Sequence, residues 1–132
     1  MDSPQRGRFA PSPTGRMQLG NVWAAMLSRT SVKSGGGVWV LRHEDLDAQR
    51  SRTEFAKWIE DDLQWLGLTW DEGPDVGGPV GPYVQSQRMG MFKQYAEQLV
   101  AEGKAYYCFC TEERLEALHA EQRAAGEMTH YD

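Results

Sequence analysis

The segment PSPTGRMQLGN, Pro11 to Asn21, holds the chemistry that the sequence displays most plainly. It lies between an apolar strand and the start of a helix, the place where α/β sheets bind ligands. The first N–H groups of a helix have no intrahelical partner, and the helix dipole favours an anion beside them. Gly15 and Gly20 let the backbone approach such an anion closely. The segment is neither GxxxxGK[ST] nor GxGxxG. A phosphate-bearing ligand and a plain connecting loop are both open readings. Cys108 and Cys110 form the other reactive pair. A disulfide across one intervening residue is strained, and two cysteines build no disulfide framework. A reduced, cytoplasmic setting is therefore expected. Thiolates at this spacing can share one tetrahedral metal, or they can pack as small apolar side chains.

These residues need elements to position them. Gly7 to Ala10 reads as a short strand ending at Pro11. Asn21 is placed to cap a helix that runs to about Ser34, with Val22, Met26, Arg29 and Lys33 on one stripe and Ala25 and Val32 beside it. The three glycines from Gly35 end it. VWVLR at 38–42 has strand length and β-branched character. Strand, helix and strand within this span make a βαβ unit, so a parallel sheet in an α/β fold is expected. A second helix from about Arg52 to Leu66 shows Phe55, Ile59, Leu63 and Leu66 on one face. Residues 71–82 are too rich in Gly and Pro for regular structure. A third helix, about Arg88 to Glu102, carries Met91, Tyr95 and Leu99 at helical spacing and stops at Gly103. KAYYCFC at 104–110 reads as a strand, and 111–125 as a polar helix with Thr111 as N-cap. Trp58, Trp65 and Trp70 are expected to pack, being on or beside the second helix.

Composition sets outer limits. The 132 residues are 40% apolar and 25% charged, the balance of one folded domain and not of a disordered chain. Glycine, at 14 residues, exceeds ordinary usage, which calls for turns or close backbone approach. The net charge of −5 argues against a nucleic-acid grip spread over the whole surface and leaves room for a local basic patch. No apolar run approaches the length of a membrane span, and MDSPQRGRF has no apolar stretch of a secretory signal. GEMTHYD carries no stop signal, so the chain reads as a fragment.

RFAPSPTGRMQLGN resembles the opening motif of the class I glutamyl/glutaminyl family of aminoacyl-tRNA synthetases, in which RFAPSPTG precedes a version of the HIGH signature. GGGVWVLRHEDLDAQRS resembles the family's GG…RIEDTD…RS segment. The match continues in order through WLGLTWDEGPDVGGPVGPYVQSQR and KAYYCFCTEERLEAL and covers nearly the whole chain. The resemblance implies the N-terminal half of a Rossmann-like, doubly wound catalytic domain over residues 1–103. It also implies the start of the acceptor-binding, zinc-binding insertion over 104–132. It implies an enzyme that joins L-glutamate to AMP at the expense of ATP, with Mg²⁺, and passes the glutamyl group to the acceptor end of a tRNA. The glutamate carboxylate is itself the nucleophile on the α-phosphate. The protein's task is to align two anions and stabilise the charge that develops. A monomer without membrane association is expected.

Residue by residue, the resemblance implies that Arg8 holds a substrate carboxylate, that Ser12 hydrogen-bonds the same amino acid, and that Glu44 receives its α-amino group. Pro11, Gly15, Gln18, Gly20 and Asn21 fall at ATP-binding positions, with Gln18 and Asn21 in the catalytic signature. Asp45 and Asp47 are expected to brace the following loop. Cys108, Cys110 and Tyr131 match the start of a Zn²⁺ site whose remaining ligands follow a YDG-type segment in the family, and Tyr106 and Tyr107 belong to the insertion or to a core. Two residues depart from the pattern. Gln18 replaces the first His of HIGH; an amide donates a hydrogen bond but cannot become cationic. His43 stands where the family has an apolar residue, and is expected as a packing change at a strand end. The KMSKS-type lysine loop is absent from these residues, so the chain alone is expected to be inactive. GGPVGPY and the lead into YD resemble the branch that charges tRNA(Glu), the favoured reading. GNVWAAMLS and HEDLDAQRSR resemble the branch that glutamylates queuosine in tRNA(Asp). A non-catalytic binding module is the reading from another class.

Overall fold

The structure, a computed structural model, describes residues 4–131. Its described elements run β1 (Arg6–Phe9), α1 (Leu19–Ser34), β2 (Val38–Leu41), α2 (Thr53–Trp65), a 3₁₀ turn (Gln85–Arg88), α3 (Met89–Ala101) and α4 (Glu112–Ala124). The chain divides into two units, one reaching Lys93 and the other starting at Gln94.

In the first unit, β1 and β2 pair in parallel, with Arg6 opposite Val38 and Phe9 opposite Leu41. α1 is the crossover between them, as the βαβ spacing predicts. Single parallel bridges extend the pairing to a third segment, Val40 with Glu72 and His43 with Val84. The core on one sheet face contains Phe9, Ala25, Trp39, Leu41, Ile59, Leu63, Leu68 and Trp70, with Met17 packed against it. Phe9 and Trp39 stack with ring centroids 6.3 Å apart.

Close approach decides which face of α1 turns inward. Gly7 lies so near Val32 that a Cβ would run into the valine methyl, and Ser28 Oγ would be 3.6 Å away. The buried residues of α1 are Ala25 and Val32. The expected stripe of Val22 and Met26 points elsewhere, and Met26 is exposed. A small residue and one valine fit the narrow gap, whereas a methionine does not. α1 also starts earlier than expected. Gln18 is the N-cap, and Asn21, three residues on, accepts from the Gln18 N–H through Oδ1 at 3.2 Å.

α2 buries Ile59 and Leu63 as its periodicity predicts. It ends where Gly67 takes a positive φ of 71°. Leu68 N–H then returns to Leu63 O at 2.9 Å and Gly67 N–H to Gln64 O at 2.9 Å. This closure turns Leu63 and Leu68 inward together. It leaves Trp65 86% exposed, against the expectation that it packs, while Trp70 is buried.

Behind β2, Glu72 is a buried carboxylate held by Arg6 Nη2 at 2.6 Å and by the Tyr83 hydroxyl at 2.7 Å. The Arg6 hydrogen bond, helped by Tyr83, holds its pKa below the usual glutamate value. Burial, reinforced by the carboxylate, pushes the Tyr83 hydroxyl up.

In the second unit, Thr111 caps α4 as expected, its Oγ1 accepting from Arg114 N–H at 3.3 Å. Residues 104–110 form no strand among the described residues. Their β-type composition has no neighbouring strand to pair with, and composition alone does not make a ladder.

Two outcomes follow. Gly7→Ala should cost about 1–3 kcal/mol by overpacking against Val32, read as a lower urea midpoint at unchanged slope. Glu72→Gln should destabilise at neutral pH by about 1–3 kcal/mol, because it leaves Arg6 without its charged partner. A carboxylate with a depressed folded-state pKa contributes stability above its unfolded pKa and loses that contribution as pH falls through the folded one. The gap between wild type and Glu72→Gln should therefore close as pH drops below about 4, and urea titrations from pH 7 to 3 would measure it.

Candidate active site

The loop from Ala10 to Gln18 is fixed by its own backbone. Beyond the paired strands, Phe9 O accepts from Arg42 N–H at 3.0 Å, Pro11 O from Glu44 N–H at 2.9 Å, and Pro13 O from Arg52 N–H at 3.0 Å. A fourth anchor is a side chain. Arg16 donates to Asp62 Oδ1 at 2.8 Å and lies over the Trp58 ring, 4.9 Å from its centroid. The cation–π contact and the ion pair both tie the loop to α2. Sequence reasoning missed Arg16, since its partners lie 42 and 46 residues away.

This loop walls an open cleft of about 690 Å³, lined among others by Pro11, Ser12, Gly15, Arg16, Gln18 and Asn21. The N-terminus of α1 faces it through Gln18 and Asn21. With the Arg16 guanidinium engaged by Asp62, the cleft offers orphan helix N–H groups and side-chain amides, neutral donors suited to an anion. Gly20 is not among its lining residues. It borders the neighbouring apolar patch of Leu19, Val22, Trp23 and Met26, and no atom comes within 4 Å of where its Cβ would stand.

Arg8 and Glu44 meet beside this cleft. Arg8 Nη2 lies 3.9 Å from Glu44 Oε1, and Arg42 Nη2 donates to the same oxygen at 2.6 Å. Arg8 and Arg42 line a second cavity of about 190 Å³, together with Arg6, Val80, Tyr83 and Arg88. Ser12 lines the cleft and not this cavity. Glu44 joins the two, since its N–H bonds Pro11 on the cleft and its carboxylate bonds Arg42 in the cavity.

The other acids have bracing roles. Asp47 Oδ1 and Oδ2 accept from Arg50 N–H and Nε at 3.1 and 2.6 Å, closing the loop that follows, as expected. Asp45 reaches further. It accepts from Ser86 N–H at 2.8 Å and Ser86 Oγ at 2.6 Å. Partial burial works to raise its pKa, but the Ser86 hydrogen bonds outweigh that and hold it below the usual range. His43 is buried, with Nε2 3.0 Å from Glu60 Oε1, and packs at the end of β2 as expected.

In the second unit, Tyr131 Oη lies 3.3 Å from Cys108 Sγ and 2.9 Å from Cys110 Sγ. Hydrogen bonding with Tyr131 holds the Cys108 thiol below its usual pKa, and the two thiols push the Tyr131 hydroxyl well up. Gln122 brings this about. Its Nε2 donates to His130 O at 3.0 Å and its Oε1 accepts from His130 N–H at 3.0 Å, which folds the tail back along α4. A glutamine in a polar helix carries no sequence signal for such a clamp. The expected Zn²⁺ is not supported. No group of three or more His, Cys, Asp or Glu side chains among the described residues could hold a metal, and two thiols with one phenol fall short of a tetrahedral set. Asp132, in the YD segment, lies outside the described residues.

Residues 5–132 match the family of tRNA synthetases class I (E and Q), catalytic domain. A glutamate–tRNA ligase of Sinorhizobium medicae (strain WSM419) is 51% identical over 131 residues, covering 99% of this chain and 27% of the relative. One of Acinetobacter baumannii (strain AYE) is 53% identical over 127 residues, covering 96% and 25%. Among solved structures, a glutamate tRNA ligase of Elizabethkingia meningosepticum CCUG26117 in complex with its amino acid superposes with a TM-score of 0.86 at 39% identity, covering 98% of this chain and 26% of that one. The chain thus spans about a quarter of the length of the relatives it matches. With a family match over nearly its whole length and a fold shared with a solved relative, the chain belongs to the class I tRNA synthetases of the E and Q type, within their catalytic domain.

Proposed function

We propose that this chain supplies the ATP- and glutamate-facing first part of the catalytic domain of a glutamate–tRNA ligase, which activates L-glutamate as glutamyl-adenylate and transfers it to tRNA(Glu). The observation that carries this reading is the juxtaposition at Glu44 of an anion-suited cleft and an arginine-lined cavity.

The chemistry needs no protein nucleophile. An α-carboxylate oxygen of glutamate attacks the α-phosphorus of ATP, the bond to the bridging oxygen breaks, and pyrophosphate leaves with the electron pair. In the second step, a terminal ribose hydroxyl of the tRNA attacks the activated carbonyl and AMP leaves. Glu44 takes the α-ammonium group, which orients the α-carboxylate toward the cleft. Gln18, Asn21 and the first N–H groups of α1 donate to phosphate oxygens, and Pro11, Ser12 and Gly15 shape the wall beside them. Because these donors are preorganised, they stabilise charge as it grows without reorganising. Mg²⁺ bound with the nucleotide supplies further charge neutralisation. Magnesium usually binds through substrate phosphates and one or two carboxylates, so the protein's own part here is the donor set of the cleft. The setting is the cytoplasm, where charged tRNA is used.

The test is glutamate-dependent exchange of pyrophosphate into ATP, and charging of tRNA(Glu), by the whole product of the gene. Exchange and charging are expected; absence of both in a folded protein overturns the reading. Glu44→Gln should raise KM for glutamate about 10–100-fold and leave KM for ATP nearly unchanged. Gln18→Ala should lower the exchange kcat about 10²-fold, the usual effect of one lost transition-state donor. Gln18→His should restore a donor whose strength titrates. Its rate relative to wild type should fall as pH rises through about 6.5, where the imidazolium loses its proton.

A further inference from the structure

A cavity of about 370 Å³ that the proposed reaction does not use lies where the end of β2, the start of α2 and the 3₁₀ turn meet. Two of its lining residues bury polar atoms that have no hydrogen-bond partner, His43 Nδ1 and Ser51 Oγ. His43 is only 2% exposed. Its Nε2 lies 3.0 Å from Glu60 Oε1, and a carboxylate only accepts, which assigns the ring proton to Nε2. Nδ1 is left as a bare acceptor. Glu60 lies outside the cavity lining, so the Nδ1 edge of the ring is the one turned toward the cavity. Burying an acceptor is costly unless a donor reaches it.

The walls carry both signs of charge. Asp45 is the lining acid. Its two oxygens accept from Ser86 at 2.8 and 2.6 Å, and each keeps a lone pair free. Arg52 is the lining cation, and no carboxylate pairs with it among the described residues; its Nη1 donates to Ser51 O at 2.8 Å. Arg52 is also the N-cap of α2, and no side chain caps that helix end. The first N–H groups of α2 are therefore open, and Thr53, its first residue, lines the cavity. A guanidinium beside helix N–H groups suits an anion. Asp45 beside the bare Nδ1 suits a donor, best a positively charged one. Pro13, Ala56 and Val84 add apolar wall.

We propose that this cavity binds a free L-amino acid with an uncharged aliphatic side chain, at a site separate from the one at Glu44. The α-ammonium group has three donors, for Asp45, His43 Nδ1 and Ser51 Oγ. The α-carboxylate accepts from Arg52 and from the first N–H groups of α2. The side chain rests on the apolar wall. An amine alone would leave the guanidinium and the helix end unmatched, and a carboxylate alone would leave Nδ1 unmatched. The volume equals the share of roughly twelve water molecules in the liquid, room for such a zwitterion.

The test is titration calorimetry of the whole gene product with L-valine. A dissociation constant on the order of 0.1–1 mM is expected for a ligand of so few atoms. Isobutylamine is valine without its carboxylate, and isovalerate is valine without its ammonium group. Each should bind at least about tenfold more weakly, the effect of one lost charged contact. Arg52→Gln should weaken valine about tenfold or more by removing the fork for its carboxylate. Ala48→Trp should abolish binding by filling the cavity, independently of charge. Both positions are exposed, so both variants should keep the fold, which unchanged far-UV circular dichroism would check. Saturating L-glutamate should leave valine binding within about twofold, since a second site is not in competition with the first. The proposal is overturned if valine gives no binding up to about 10 mM, or if isobutylamine or isovalerate matches it. It is equally overturned if L-glutamate displaces valine, or if folded Arg52→Gln and Ala48→Trp both bind valine as wild type does.

Discussion

The backbone ladder between the two strands does not stop where the strands do, and the site depends on that. Carbonyls of Phe9, Pro11 and Pro13 go on accepting from the chain beyond β2, at Arg42, Glu44 and Arg52. The two prolines supply acceptors but no donors, so the loop can be pinned along one edge without extending the sheet along the other. Everything placed at the site inherits this register. Glu44 is beside the cleft because its own N–H belongs to the ladder. Arg8 is beside Glu44 because β1 pairs in parallel with β2, Arg8 opposite Val40. The start of α1 faces the cleft because the pinned loop delivers it there. A slip of β1 by one residue against β2 would turn Arg8 to the core and Phe9 out of it.

Much of this was legible in the chain, for reasons that differ by element. The βαβ unit could be read because strand length, helix length and the glycine run at its end all agreed. The inward face of α1 could not, because its apolar residues allow more than one stripe. The decision lies in the missing side chain of Gly7, on a different element, which admits Val32 and excludes anything larger. Trp65 misled for a similar reason: its type says core, but the turn at Gly67 commits Leu63 and Leu68 to the inside and leaves Trp65 on the far side. Residues 104–110 look like a strand one at a time and form none, since a strand is a relation between segments.

The site shows the same division. Arg8, Glu44, Gln18 and Asn21 could be picked out because their order follows a known family pattern, and the family is now shown. What the order could not show is how they are held. Arg16 anchors the loop through an aromatic ring and a carboxylate on α2, and Gln122 brings Tyr131 to the two cysteines through a pair of backbone hydrogen bonds. Both are polar residues in unremarked positions, Arg16 acting across 46 residues of sequence and Gln122 across eight. Supporting groups of this sort leave no local spacing to detect.

Charge gives the sharpest contrast between composition and place. The whole chain is acidic, at −5, which argues against an anionic substrate if charge is averaged over the surface. The averaging is wrong because the carboxylates are spent locally: Asp62 on Arg16, Asp71 on Lys33, Asp61 on Lys57, Glu72 on Arg6. Screening confines such pairs to their own surroundings within about one Debye length, about 10 Å at ordinary salt. Around Glu44 the balance reverses, with Arg8, Arg42 and Arg88 against a single acid. The cleft on the other side reaches the same end by dipoles, with helix N–H groups and the amides of Gln18 and Asn21. One half of the site therefore attracts anions through fixed charge and the other through neutral donors. Neutral donors bind less tightly at rest but do not titrate near neutral pH. A glutamine amide does not titrate near neutral pH, so Gln18, unlike a histidine, gives the cleft no pH response of its own.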